Sequence, residues 1–244
     1  MKKSKGSSIV MLALAFLIAG AFAAQAEKAI PDKVIGAGAN WGNGKVYFFK
    51  GDRYVRYSAK PDMAEDLMGD RADPGYPKTI NNETWPGLNW KDIDAVVFMG
   101  NGKVCFFKGK EYIQYDINAD KADPGYPKPI NEQTWPGLKF TDGIDAAVNW
   151  GDGKIFFFKG GEYIRYDISR GRADFGYPKP INERNWPGMI WKDGIDDVVN
   201  WGNGKAYFFK DYEYIRYDIQ DDRADPGYPK MVNRQTWPGL INWR

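Results

Sequence analysis

The chain reads Asn40-Trp-Gly-Asn-Gly-Lys-Val-Tyr-Phe-Phe-Lys50, and it repeats this stretch three more times with small changes. Each repeat ends in Trp-Pro-Gly, and the four tryptophans are Trp85, Trp135, Trp186 and Trp237. They are 50, 51 and 51 residues apart. A fixed period of this length indicates one supersecondary unit used four times, each unit burying its face against the next.

Each repeat predicts a meander of antiparallel strands. Asn-Gly or Asp-Gly separates two apolar runs in every copy, which indicates a hairpin with a type I′ turn; the pairs begin at Asn43, Asn101, Asp152 and Asn203. In the third copy we expect strands over 144–149, 154–159 and 162–167. The segment 172–180 holds too many prolines for a central strand, so a strand there lies at an edge. A short helical turn is expected over 181–186, ended by Pro187.

The repeats predict an all-β fold, a four-bladed β-propeller with one four-stranded antiparallel blade per repeat of about 51 residues. Runs such as Phe156-Phe157-Phe158 do not alternate cleanly, which is typical of sheets covered on both faces. The blades are predicted over 33–91, 92–141, 142–192 and 193–244. An open stack of four units is the alternative, but it would need polar terminal repeats, and the fourth copy is not polar in that way.

Residues 1–26 read as a secretory signal peptide, with basic Lys2, Lys3 and Lys5, an apolar run over 9–22 and a small-x-small site at Ala24-Gln25-Ala26. An uncleaved membrane anchor is the rival interpretation, although the apolar run is short for crossing about 30 Å. We therefore expect a secreted or periplasmic protein, residues 27–244, with no membrane attachment after cleavage. It would carry 31 basic and 32 acidic residues.

The composition excludes several kinds of catalytic site, metal site and binding partner. The chain has no histidine, so imidazole bases, Ser-His-Asp triads and histidine-ligated zinc are excluded. Its lysines recur in every repeat instead of forming one basic face, so no nucleic-acid partner is expected. Cys105 is the single cysteine, so no internal disulfide can form. We expect a protein that is not an enzyme and is a monomer.

The repeated residues resemble the hemopexin repeat. The resemblance rests on Ile-Asp-Ala before a Gly-Lys-x-Tyr/Phe-Phe-Phe-Lys strand, on Tyr-Ile-Arg-Tyr-Asp, and on the closing Trp-Pro-Gly, and it covers about residues 33 to 240. The Tyr-Pro-Lys-Pro-Ile and Trp-Pro-Gly segments are similar to those of bacterial hemopexin-like proteins. The resemblance implies a four-bladed propeller around a narrow axial channel.

The resemblance also implies ions in that channel, calcium first and also sodium and chloride, held by main-chain groups at the start of each innermost strand. The positions that match are Gly36, Asp94, Asp145 and Asp196, with a second ring at Gly38, Val96, Ala147 and Val198. Gly36 departs from the aspartate pattern, but a carbonyl ligand needs no side chain. The alternative is that these aspartates only orient the strand starts by local hydrogen bonds.

The function expected from the sequence is recognition of a protein, glycan or small-molecule ligand. A haem or other small-ligand carrier is one alternative, against which the missing histidines count. A carbohydrate-binding propeller is the other, in which Trp41, Trp150 and Trp201 would stack on sugars, although these residues could equally pack between blades. Residues 58–70 form an insertion found only in the first repeat, either a partner-contact loop or a simple loop.

Overall fold

The computed structural model of the protein describes residues 33–59 and 71–241. The predicted leader, 1–26, and residues 60–70 of the first-repeat insertion lie outside the described residues. Within the described ranges no helix is long and apolar enough to cross a membrane.

The described residues form four antiparallel sheets, one for each repeat. Blade 1 contains β1 (Ala37–Asn40), β2 (Lys45–Lys50), β3 (Arg53–Ser58) and β4 (Lys78–Thr79). Blade 2 contains β5 (Ala95–Phe98), β6 (Lys103–Lys108), β7 (Glu111–Asp116), β8 (Lys121–Ala122) and β9 (Lys128–Pro129). Blade 3 contains β10 (Ala146–Asn149), β11 (Lys154–Lys159), β12 (Glu162–Asp167), β13 (Arg172–Ala173) and β14 (Lys179–Pro180). Blade 4 contains β15 (Asp197–Asn200), β16 (Lys205–Lys210), β17 (Glu213–Asp218), β18 (Arg223–Ala224) and β19 (Lys230–Met231).

The strand predictions for the third repeat hold in most details. β11 and β12 have the predicted bounds, and the proline-rich segment supplies only the short edge strands β13 and β14, which both pair with β12. The first strand begins at Ala146 and not at residue 144. The N–H of Asp145 donates to the carbonyl of Phe158, one residue out of the ladder register, so regular pairing starts only after it.

The hairpin prediction is confirmed, but the type I′ turn is wrong. In blade 1 the positive φ angles belong to Gly42 (71°) and Gly44 (76°), and Asn43 between them is not left-handed. Two side-chain caps explain this geometry. The side-chain Oδ1 of Asn40 accepts from the N–H of Gly42 at 2.9 Å, and the Oδ1 of Asn43 accepts from the N–H of Lys45 at 3.1 Å. These Asx turns hold the asparagine in an ordinary conformation and leave left-handed φ to the glycines.

The predicted helical segment is a single turn. The N–H of Trp186 donates to the carbonyl of Asn182 at 2.8 Å, and the Asn182 side chain accepts from the N–H of Asn185 at 3.0 Å. No regular helix is assigned over these described residues. Pro187 has no N–H with which to continue the turn.

The four sheets close into a ring. The innermost strands β1, β5, β10 and β15 contact one another in cyclic order, and β15 also contacts β1. Each Trp-Pro-Gly reaches the next blade through its proline carbonyl, which accepts from an alanine N–H; the pairs are Ala122–Pro86, Ala173–Pro136, Ala224–Pro187 and Ala72–Pro238. The last of these joins blade 4 to blade 1 at 3.0 Å. The fold is therefore the predicted four-bladed propeller, closed by packing and hydrogen bonds.

The core consists of aromatic layers between blades. Trp186 is 3% exposed, and its ring lies 5.3 Å from that of Tyr163 in its own blade. The same ring lies 5.4 Å from Phe208 and 5.5 Å from Tyr217 in the next blade. Edge-to-face contacts of this kind stabilise by about 0.5–1.5 kcal/mol beyond the burial of area. Each tryptophan of a Trp-Pro-Gly thus joins two sheets.

Candidate functional site

The innermost strands turn their free edges toward the propeller axis. Directly after β15, the N–H of Trp201 donates to the carbonyl of Lys205. Every second residue of an antiparallel pair is hydrogen-bonded, so the residues of β15 that bond to β16 are Val199 and Asp197. Val198 and Asn200 therefore direct their N–H and C=O groups away from β16, to the axis. The same alternation applies to the other inner strands, because the corresponding bonds are formed by Trp41, Met99 and Trp150.

The second ring predicted from the resemblance lies on this axial edge. Its residues occupy the second position of each inner strand, and all four are buried: Gly38, Val96, Ala147 and Val198. Their main-chain groups face one another around the axis, so they are brought together as a set. Whether they bind an ion stays a prediction.

The residues of the first ring precede the inner strands. The side chains of the three aspartates are already engaged: Asp94, Asp145 and Asp196 accept from the N–H groups of Gly109, Gly160 and Asp211 at 2.6–2.7 Å. Each bond joins the start of an inner strand to the turn between the second and third strands of the same blade. Their main-chain carbonyls are the ion ligands that the resemblance implies, and whether they hold an ion stays a prediction.

Gly36 takes the aspartate place in blade 1 for a steric reason. A Cβ atom there would lie 2.9 Å from the carbonyl oxygen of Phe49 and 3.2 Å from that of Ile93 in blade 2. The glycine allows blades 1 and 2 to approach at the strand start. Its N–H donates to the Phe49 carbonyl, the same bond that the three aspartates form in their blades.

Asp197 is a site residue that the sequence analysis did not select. It is the first residue of β15, where the other inner strands begin with Ala37, Ala95 and Ala146. It is 0% exposed, and neither carboxylate oxygen has a hydrogen-bond partner of normal geometry. Burial raises the pKa of Asp197 to about 8, although the nearby amides of Gly38 and Val198 act to lower it. An alignment of the four repeats could have revealed this residue, because three alanines and one aspartate share the position.

No cluster of three or more acidic, cysteine or histidine side chains that could hold a metal exists in residues 33–59 and 71–241. Any cation on the axis would therefore use main-chain carbonyls together with isolated side chains. The unpartnered oxygens of Asp197 fit that requirement, because calcium prefers hard oxygen ligands.

A cavity of about 460 Å³ lies at the end of the inner strands. Its lining includes Ala147 and Val198 of the second ring, and the asparagines that end three inner strands: Asn40, Asn149 and Asn200. The fourth inner strand ends instead in Phe98, which also lines the cavity. The mouth of the channel therefore combines polar amides with one aromatic side chain.

The asparagines at this mouth link neighbouring blades. The side-chain amide of Asn40 donates to the carbonyl of Trp201 at 2.8 Å, and that of Asn149 donates to Phe98 at 2.9 Å. Asn200 donates to Trp150 at 3.0 Å. Phe98 has no amide with which to form the fourth link. Its ring packs against Gly42, where an added Cβ would lie 2.7 Å from Phe98 Cε1.

The tryptophans considered for sugar stacking pack between strands and blades. Trp41 is 6% and Trp201 is 2% exposed, and Trp150 is half-buried. Each lies edge-on to the Trp-Pro-Gly tryptophan of its own repeat, at ring distances of 5.3–5.6 Å. Trp41 and Trp201 lie in the core and Trp150 packs against it, so the three indoles do not form an exposed sugar platform.

Cys105 is buried in the core at 1% exposure, and burial raises the pKa of its thiol well above the usual value. A protonated, enclosed thiol is a poor iron ligand. Cys105 is therefore a poor candidate for haem ligation.

The most exposed aromatic residue among the described residues lies on blade 3. Phe175 is 103% exposed, where the other blades have Pro74, Pro124 and Pro226. A groove of about 500 Å³ beside it is lined by Phe175, Tyr177, Asp174 and three basic residues, which are Lys139, Arg170 and Arg172. Arg170 Nη1 is 3.6 Å from Asp174 Oδ1, while the groove keeps more basic than acidic side chains.

The propeller and its repeats define the class of the protein. The family model described as Hemopexin matches four times, at residues 39–89, 93–139, 144–189 and 195–240. The chain therefore belongs to the hemopexin family.

Among curated proteins, the chain is 36% identical over 205 residues to the macrophage metalloelastase of Oryctolagus cuniculus, covering 80% of this chain and 42% of that protein. It is 37% identical over 89 residues to the neutrophil collagenase of Homo sapiens, covering 35% of this chain and 17% of that protein. The chain thus spans less than half the length of these relatives.

Solved structures share the fold. A plant albumin from Cicer arietinum showing hemagglutination superposes with a TM-score of 0.72 at 23% identity, covering 86% of this chain and 99% of that one. A plant lectin with two metal binding sites, from the same plant, superposes with a TM-score of 0.70 at 25% identity, covering 84% and 96%.

Proposed function

We propose that the protein is a non-enzymatic recognition propeller whose axial channel holds a structural cation, calcium in the first place, and whose ligand binds at the channel mouth. The observation that carries the proposal is the convergence of four inner-strand edges on the axis, next to a cavity of about 460 Å³. The leader predicted over 1–26 supports a secreted or periplasmic location. Protein, glycan and small-molecule ligands all suit this architecture.

The cation is proposed from the donor chemistry of the channel. Calcium takes six to eight oxygen ligands at about 2.3–2.6 Å, and a ring of carbonyls supplies part of that shell. The first-ring carbonyls of Gly36, Asp94, Asp145 and Asp196 would form one layer, and the second-ring groups would form the next. The plant lectin with two metal binding sites supports a metal in this fold. Sodium and chloride are proposed as further channel ions.

Calcium removal is expected to destabilise the protein. A ligand that binds only the folded state stabilises it by about 2.7 kcal/mol at a hundredfold excess over Kd. Elemental analysis of the purified protein should find calcium near one equivalent, and the melting temperature should fall in chelator and recover when calcium is added. Metal-free protein with the same melting temperature in chelator and in calcium would contradict the proposal. Magnesium in place of calcium serves as the control for ionic strength.

Carbohydrate binding is the second candidate, and the blade 3 groove is the observation that favours it. The buried tryptophans do not serve this role, but Phe175 exposes a whole ring beside Arg170 and Arg172. An aromatic face with adjacent guanidinium groups suits a sugar that bears a carboxylate or sulfate.

The matched variant for this candidate is Phe175→Pro, because proline occupies the position in the other three blades. We expect the variant to fold like the parent and to lose signal for acidic glycans on an array. Tyr212→Ala, which removes another exposed aromatic residue, is the control and should retain the signal. Equal binding by the parent and Phe175→Pro would eliminate the groove as the glycan site.

A haem carrier is a weaker candidate. The chain has no histidine and its Cys105 thiol is enclosed, so strong axial ligation would have to come from tyrosine or methionine. We therefore propose that specific haem binding is weak or absent.

A further inference from the structure

The seam between blades 4 and 1 differs from the other three in one pair of residues. At three seams the first residue of one inner strand shares a hydrophobic cluster with the second residue of the next inner strand. These pairs are Ala37 with Val96, Ala95 with Ala147, and Ala146 with Val198. At the fourth seam the pair is Asp197 with Gly38, and a Cβ on Gly38 would lie 2.6 Å from Asp197 Oδ2. The glycine therefore provides the space that the carboxylate fills.

The carboxylate of Asp197 is enclosed without a counter-charge. It is 0% exposed, and both oxygens lack a hydrogen-bond donor of normal geometry among the described residues. Lys33 pairs with the neighbouring Asp196, at 3.4 Å between Nζ and Oδ1, and its side chain is 45% exposed. An ionised carboxylate in such a place is costly unless it is paired or coordinates a metal.

The carboxylate lies against the second ring, because a Cβ on Gly38 would be 2.6 Å from Asp197 Oδ2. The amides that act on it belong to Gly38 and Val198, and the strand register turns both of them toward the axis. Val198 also lines the mouth cavity. The Asp197 oxygens thus lie beside second-ring residues whose main-chain groups face the axis.

We propose that the Asp197 carboxylate is a side-chain ligand for a divalent cation on the propeller axis, calcium in the first place, and that this ligand belongs to one seam only. The inference rests on the axial cation of the proposed function. It adds the residue that gives the cation site a negatively charged ligand. A main-chain ring gives calcium only neutral oxygens, whereas affinity for calcium rises with the number of charged ligands. The cation in turn neutralises the buried carboxylate at the seam that closes the ring.

The test compares calcium binding by the whole protein and by Asp197→Asn, which keeps the shape and removes the charge. Both are freed of metal by unfolding in guanidinium with chelator and refolding, and binding is measured by titration calorimetry. We expect affinity to fall by about tenfold or more in Asp197→Asn. The control is Asp193→Asn, which removes the same charge from an exposed carboxylate of blade 4 and should bind like the parent.

A stability measurement separates ligation from a structural role. In chelator, Asp197→Asn should melt at or above the parent temperature, because a buried unpaired carboxyl becomes a neutral amide. In calcium the order should reverse. If Asp197→Asn does not fold, Asp197→Ala provides the same comparison with the residue that the other three blades carry.

The outcomes distinguish the two proposals. Calcium binding that is equal in the parent and in Asp197→Asn overturns the ligand assignment and leaves the axial cation in place. No calcium binding by the parent overturns both. A variant that melts below the parent to the same extent in chelator and in calcium shows that Asp197 is structural only, and overturns the inference.

Discussion

Gly38→Ala is expected to lower the free energy of unfolding by about 1–3 kcal/mol, the usual cost of overpacking a core. The added Cβ would lie 2.5 Å from Phe48 Cδ1 and 2.6 Å from Asp197 Oδ2, both in a fully buried seam. The effect is steric, because Gly38 is not among the glycines with positive φ. Urea denaturation in chelator measures it without a contribution from bound metal.

The double variant Gly38→Ala with Asp197→Ala should recover a large part of this loss. It reproduces the Ala95–Ala147 pair of the seam between blades 2 and 3, where a phenylalanine, Phe157, also lies opposite the second-ring residue. We expect an interaction energy of about 1 kcal/mol or more in the double-mutant cycle. Additive effects of the two substitutions would show that Gly38 and Asp197 are not a matched pair.

Trp237→Ala is expected to cost about 3–5 kcal/mol, the range for removing a buried tryptophan. The side chain is 1% exposed, and its ring lies 5.0 Å from Phe209 in blade 4 and 5.9 Å from Phe48 in blade 1. Its loss therefore opens the seam at which the ring closes. Native proteins are stable by about 5–15 kcal/mol, so this loss is a large fraction of the total and should shift the urea midpoint strongly.

The control for Trp237→Ala is Phe175→Ala, which removes an aromatic ring that is fully exposed and should change stability by less than about 0.5 kcal/mol. Circular dichroism with urea unfolding of both variants provides the comparison. A Trp237→Ala protein as stable as the control would contradict the role of this tryptophan in closing the ring.

Much of the fold could be predicted because the same local signals occur four times. The 50- and 51-residue spacing gave four units, and strand bounds such as Lys154–Lys159 followed from apolar runs between turn residues. The turn type was wrong because Asn40 and Asn43 cap the loop with their side chains. Such caps depend on three-dimensional geometry that an Asn-Gly pair alone does not reveal.

The candidate site was only partly accessible from sequence. The ring positions could be aligned because they recur at a fixed place before each hairpin. Asp197 stood in the same alignment, but its importance depends on burial and on the glycine across the seam, which lies 159 positions earlier in the chain. Contacts between the first and last blades become visible only when the ring is closed.

Anomalous diffraction from crystals grown in calcium tests whether a cation lies on the propeller axis with Asp197 as a ligand. We expect one calcium peak on the propeller axis, with main-chain carbonyl oxygens and an Asp197 oxygen at about 2.3–2.6 Å. The same peak should weaken in crystals of Asp197→Asn. An axis without anomalous density in the parent protein, with the Asp197 carboxyl packed only against Gly38 and Phe48, would contradict it.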